Sequence, residues 1–181
     1  MDKKELRAHM LRKRTSLSFW EIKQKSQRIC AVLTQLPEFK RAKSIAFYIS
    51  TKSEVHTHDL IKTLLEKKEK KVSVPVYSAN VLSEISSWSE LSEGAFGILE
   101  PKNLSVVNDA DLIIVPGVAF DRQCNRLGHG KGFYDKLLKN YKGKSIALAY
   151  EQQIVDKIPT EDHDVKVNKI ITEKWIIYGN H

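Results

Sequence analysis

The stretch SIAFYISTKSEVHTHDLIKTLLEKKEKKVSVPVY, Ser44 to Tyr77, changes its apolar period twice, and those changes decide the fold. Its first six residues, Ser44 to Ile49, form an apolar, β-branched run between polar clusters, which predicts a strand. STKSEVHT reads as a loop. Thr57 then stands where it can cap a helix over HDLIKTLLEKKEK, with Leu60, Ile61, Leu64 and Leu65 on one face. KVSVPVY returns to a strand pattern. Strand, helix and strand in this order imply a right-handed crossover between parallel neighbours.

Further along the chain, VLSEISSW alternates enough for another strand, and GAFGILEP is a turn-rich connector. DLIIVPG, Asp111 to Gly117, holds an unbroken apolar run stopped by Pro-Gly, which suits a central parallel strand covered on both faces. FYDKLLKNY starts a helix at Phe133, SIALAY adds a strand, and KIIT and WIIYG supply the last two. Before the crossover unit, a basic helix opens the chain. A capping box of Ser18 and Glu21 starts a second helix that ends before Pro37, with Ile22, Ile29, Val32, Leu33 and Leu36 as its buried stripe. No repeat or Pro/Gly/Ser-rich linker divides the sequence. The expected architecture is one α/β domain over residues 1–181, a mostly parallel Rossmann-like sheet with helices on both faces.

Composition narrows the function classes. A 41 % hydrophobic and 29 % charged chain is ordinary globular usage. Cys30 and Cys124 stand in no disulfide or zinc spacing, which fits a reducing, cytoplasmic setting. No segment has the apolar length of a membrane span, and no membrane partner is expected. The net charge of +8 points to a polyanionic partner, a nucleic acid or a phosphorylated small molecule. Half of that excess lies within residues 1–14, where Lys3 and Arg7 emerge one turn apart on one helix face and Arg14 follows two turns beyond Arg7.

NRLGHGKGFYD, Asn125 to Asp135, places glycines at 128, 130 and 132 between the apolar strand and a helix start. Missing β-carbons let backbone N–H groups approach an anion, and Arg126 and Lys131 add charge. A Walker A loop is excluded because Gly132 follows Lys131 where a hydroxyl is required, and the dinucleotide fingerprint fails on spacing. The bland alternative is a tight turn that only packs helix on strand. Asp135, one turn into the helix, favours function: beside a polyphosphate it needs a divalent cation between. His56 and His58 lack a third partner at metal-ligand spacing, and the lysines at 67, 68, 70 and 71 are explained by a solvated helix end.

Six blocks in order, KKELR, FYISTKSEVHT, FGILEP, LIIVPGVAFD, RLGHGKGFYDKLL and HDVKVNKIITE, resemble the 5-formyltetrahydrofolate cyclo-ligase (5,10-methenyltetrahydrofolate synthetase) family over nearly the whole chain. The resemblance implies an ATP- and magnesium-dependent cyclisation of 5-formyltetrahydrofolate that releases ADP and phosphate. It implies nucleotide contacts from Lys3, Lys4, Glu5, Leu6 and Arg7 and from Arg126, Leu127, Gly128, His129, Gly130, Lys131, Gly132, Phe133 and Tyr134. Among these, Arg126, Lys131 and Tyr134 are the expected catalytic groups. Magnesium is implied at Asp135 and Asp164, and the folate, with or without a polyglutamate tail, at Ile49, Glu54, Phe96 and the turn from His129 to Phe133. A monomer is expected. The chain departs from the family pattern at VLSEISSW, and the family does not require histidine at 129. Two other readings compete: a basic nucleic-acid-binding module, which lacks any recognition motif here, and a sugar-phosphate isomerase or transferase needing no nucleotide.

Overall fold

The computed structural model describes residues 1–180. Five helices run over Lys3–Thr15 (α1), Phe19–Gln35 (α2), Pro37–Arg41 (α3), His58–Lys67 (α4) and Phe133–Lys139 (α5). The strands in the first half are Ser44–Ala46 (β1), Lys71–Val76 (β2), Val81–Ile85 (β3), Leu91–Glu93 (β4), Leu99–Pro101 (β5) and Val106–Val107 (β6). Those in the second half are Leu112–Val115 (β7), Ala119–Asp121 (β8), Arg126–Leu127 (β9), Lys144–Leu148 (β10), Ile154–Val155 (β11), Lys169–Ile171 (β12) and Ile176–Tyr178 (β13).

Eight strands form the main sheet in the order β13-β12-β10-β7-β1-β2-β3-β6. The pairs from β12 through β10, β7 and β1 to β2 are parallel, and the outer pairs are antiparallel. The mixed α/β domain expected from sequence is therefore present. β7 is central, and all four of its residues are buried, as its unbroken apolar run requires. β1, α4 and β2 make the parallel crossover unit, with Ile45 opposite Val72. α2 packs on β12 and α4 on β2.

The structure departs from the sequence expectations in local detail. β1 ends at Ala46 instead of Ile49. Phe47 N still donates to Ser73 O (2.9 Å), but beyond it the Thr57 side chain takes the backbone groups, donating to Tyr48 O (2.7 Å) and accepting from Ser50 N (3.1 Å). For the same reason Thr57 is the N-cap residue of α4 without a side-chain capping bond. On α2, Val32 is only half-buried, and Ser26 takes an inward position where its hydroxyl accepts from His56 N (2.9 Å). GAFGILEP, expected as a connector, contains β5, which pairs with β4.

α1 covers a separate feature. After β7 the chain leaves the main sheet and forms a three-stranded sheet, β11-β8-β9. Leu6 and Met10 of α1 pack there against Val118, Ala119, Leu127 and Ile158. Each of the two buried side chains contributes about 1.5–3 kcal/mol to holding the helix in place. A capping box of Asp2 and Glu5 fixes its first turn, each side chain accepting from the other residue's backbone N–H.

Candidate active site

The glycine turn follows β9 of the small sheet, and not the central strand directly as its sequence position implied. That hairpin brings the turn back over the main sheet. Residues from α1, from the end of β1 and its loop, from the end of β2, from the turn and from the 161–164 segment line one cavity of about 1050 Å³. It lies beyond the carboxyl ends of β1 and β2, where parallel sheets place ligands.

Most of the residues singled out from sequence meet here. Lys3, Arg7, Ile49, Glu54, Phe96, Arg126 through Asp135, and Asp164 all line the cavity. Lys4, Glu5 and Leu6 do not: Lys4 and Glu5 are exposed, Glu5 being engaged in the helix cap, and Leu6 is in the core under α1. Helical geometry accounts for this, because only residues three and four apart share a face.

Arg7 lies under the turn, its Nε donating to Gly128 O (2.8 Å). Lys3 Nζ donates to Asp164 (2.6 Å) and pairs with Glu161 (3.3 Å). Burial opposes charge on both Lys3 and Asp164, yet their mutual contact outweighs it, holding the lysine above and the aspartate below its ordinary pKa. Arg126, with its side chain 4 % exposed, donates from Nη1 to Pro116 O (3.3 Å) and pairs with Asp135 (3.4 Å). Asp135 also accepts from Val165 N (3.4 Å), which draws the 164–165 segment to the start of α5.

Arg126 Nε and Tyr134 Oη are buried without a hydrogen-bond partner among the described residues. Unpaired buried polar groups are uncommon, and in a cavity wall they are free to bond water or a ligand. Burial, then the nearby Tyr77 phenol and Glu54 carboxylate, push the Tyr134 phenol well above its ordinary pKa; Tyr77 approaches without the geometry of a full hydrogen bond. Tyr77 is pushed up to about 12, chiefly by burial. Both phenols are therefore protonated at neutral pH and able to donate.

A second set of groups is aromatic. Phe133 meets Tyr77 edge-on (4.9 Å between centroids), and Lys131 Nζ lies 2.7 Å from the centroid of the exposed Phe96 ring. Glu54 is oriented by Thr51 N (3.0 Å), with His129 Nε2 3.7 Å away. His58, also in the lining, has Nε2 2.8 Å from Ser50 O, and burial lowers its pKa. Sequence reading missed Tyr77 and Glu161 as cavity residues. Tyr77 was within reach, because it ends a parallel strand at the edge where ligands sit.

These features define a class: a mostly parallel α/β protein with a cation-lined, partly aromatic cavity at the ends of its strands. The model of the 5-formyltetrahydrofolate cyclo-ligase family matches residues 1–173, and the chain belongs to that family of ligases. The 5-formyltetrahydrofolate cyclo-ligase of Haemophilus influenzae is 34 % identical over 181 residues, covering 93 % of this chain and 96 % of that one. The solved 5,10-methenyltetrahydrofolate synthetase of Aquifex aeolicus superposes with a TM-score of 0.89 at 40 % identity, over all of this chain and 94 % of that one. The enzyme of the same name from Mycoplasma pneumoniae gives 0.76 at 27 % identity, over 96 % of this chain and 99 % of that one.

Proposed function

We propose that the protein, acting as a monomeric cytoplasmic enzyme of one domain, converts 5-formyltetrahydrofolate and ATP to 5,10-methenyltetrahydrofolate, ADP and phosphate. The observation that carries this is the pairing, in one cavity, of a cationic set (Lys3, Arg7, Arg126, Lys131) with an aromatic set beside Glu54. Such a cavity suits one polyphosphate and one flat heterocycle.

In this reading the formyl oxygen attacks the γ-phosphorus of ATP, and the bond to the β-phosphate oxygen breaks as ADP leaves. N10 then attacks the formyl carbon, loses its proton, and the carbon–oxygen bond breaks to release phosphate. Phosphoryl transfer asks chiefly for positioning and charge neutralisation. Arg126 presents its unpaired Nε to the transferring group, and Tyr134 donates its phenol proton in a hydrogen bond. Lys131, on the exposed turn, exchanges its Phe96 contact for a phosphate oxygen. Glu54 accepts paired N–H groups from the pterin edge.

Asp135 and Asp164 are the carboxylates that would hold magnesium, an ion that takes one or two carboxylates and completes its shell with phosphate and water oxygens, in exchange for their present partners. Each carboxylate already holds a cation, Arg126 and Lys3 respectively. Bound there, magnesium would neutralise polyphosphate charge.

Mixing protein, 5-formyltetrahydrofolate, magnesium and ATP should raise the methenyl absorbance at the edge of the visible range. No absorbance change at any ATP concentration refutes the reading. Turnover without ATP would favour an isomerase or transferase, and tight oligonucleotide binding with a steep salt slope a nucleic-acid module.

A further inference from the structure

The three cations on one face of α1 end in different places. Lys3 and Arg7 reach the cavity, whereas Arg14 is buried, with 3 % exposure. Its Nε donates to Ser53 Oγ (3.0 Å) and its Nη1 to Gly117 O (3.2 Å). Both acceptors are neutral. A buried guanidinium on neutral acceptors bears a desolvation cost that an apolar side chain of similar volume would avoid. What it holds in place therefore matters.

Ser53 belongs to the turn that presents Glu54. Glu54 N donates to Thr51 O (3.1 Å) and Thr51 N to the Glu54 carboxylate (3.0 Å), so the turn sets the direction of that carboxylate within itself. Its place is set from outside. Tyr150 Oη donates to Glu54 O (2.9 Å) and Tyr48 Oη to Val55 O (2.7 Å), and Arg14 supplies the brace from α1. On the other side, Gly117 O takes Arg14 and Gln153, while the preceding carbonyl, Pro116 O, takes Arg126. The two arginines thus hold consecutive backbone carbonyls, one residue apart.

We propose that Arg14 is a positioning residue: it fixes the Glu54 turn relative to Arg126, so that the pterin edge and the phosphoryl-accepting oxygen of one folate are presented together. This rests on the reading of Glu54 as the carboxylate that binds the folate.

The test is calorimetric titration of 5-formyltetrahydrofolate without ATP into wild type, Ser53→Ala, Arg14→Lys, Glu54→Gln and the Ser53→Ala/Glu54→Gln double variant. Ser53→Ala and Arg14→Lys, which loses the planar fork, should each weaken binding roughly tenfold, and Glu54→Gln by at least about that much. In the Glu54→Gln background, Ser53→Ala should add nothing, a non-additivity that a general loss of stability does not produce. Equal losses in both backgrounds overturn the proposal, as does unchanged affinity in Ser53→Ala or in Arg14→Lys. Unchanged affinity in Glu54→Gln removes the Glu54 reading itself, whatever the other variants do.

Discussion

Gly128→Ala should disable the enzyme, whereas Gly132→Ala should only weaken its fold. A β-carbon on Gly128 would stand 2.6 Å from Arg126 Nη1 and 3.3 Å from its Cζ. Restoring an ordinary contact of ~3.5 Å moves the guanidinium by about 1 Å. The side chain has little room for this, being 4 % exposed and held between Pro116 O and Asp135. Losing one positioned, charge-assisted contact costs about 1.5–3 kcal/mol, which corresponds to roughly 10- to 150-fold in kcat/KM if it is made in the transition state. Gly132 differs. Its β-carbon would meet nothing within 4 Å, but its φ of +72° is left-handed. Alanine there costs about 1–2 kcal/mol of backbone strain, which lowers stability and leaves the charges where they were. Initial rates of methenyl formation, with urea unfolding of each variant, separate the two effects. If Gly128→Ala retains at least half of wild-type kcat/KM, or Gly132→Ala loses as much activity as Gly128→Ala, the placement of Arg126 as a catalytic group is wrong.

Two predictions concern the frame of the site. Asp164→Asn should cost about 1 kcal/mol at neutral pH, the charge-assisted value lowered by the solvent that reaches the pair with Lys3. The folded Asp164 has a depressed pKa, so its contribution is present above the unfolded value of about 3.9 and is lost as pH falls through the lower folded one. The gap between wild type and variant in urea midpoints should therefore start to shrink as pH falls below about 5 and keep shrinking below the unfolded pKa; a gap that widens on acidification contradicts the pairing with Lys3. Thr57→Val should cost about 1–3 kcal/mol, since it leaves Ser50 N buried without its partner. For a chain of this size that lowers Tm by roughly 2–12 °C, and an unchanged Tm would show that water or a neighbour replaces the hydroxyl.

Much of the fold was legible because its signals are local. The LIIV run identified the central strand, and the change from a short apolar, β-branched run to helical period from His58 identified the crossover. The glycine turn, Asp135 and the basic face of α1 were legible through chemistry: anions need missing β-carbons and nearby cations. The rest depended on tertiary competition that one sequence does not display. Thr57 looked like a cap until Tyr48 O and Ser50 N claimed its hydroxyl. Arg14 looked equivalent to Arg7, since spacing reports the face of a helix but not how deep the neighbouring chain lies. Lys4, Glu5 and Leu6 come in with the block that carries the resemblance, and the helix turns them away from the cavity. The small sheet was missed because a two-residue strand, Arg126–Leu127, has no period to read.

In the proposed reaction the formyl oxygen is removed as phosphate after it has received the γ-phosphoryl group. Turnover of 5-formyltetrahydrofolate carrying oxygen-18 in the formyl group, with unlabelled ATP and mass analysis of the inorganic phosphate, tests it directly. One heavy oxygen per phosphate, in step with methenyl formation, is the predicted result. Unlabelled phosphate, with the heavy oxygen released to water, would contradict the account.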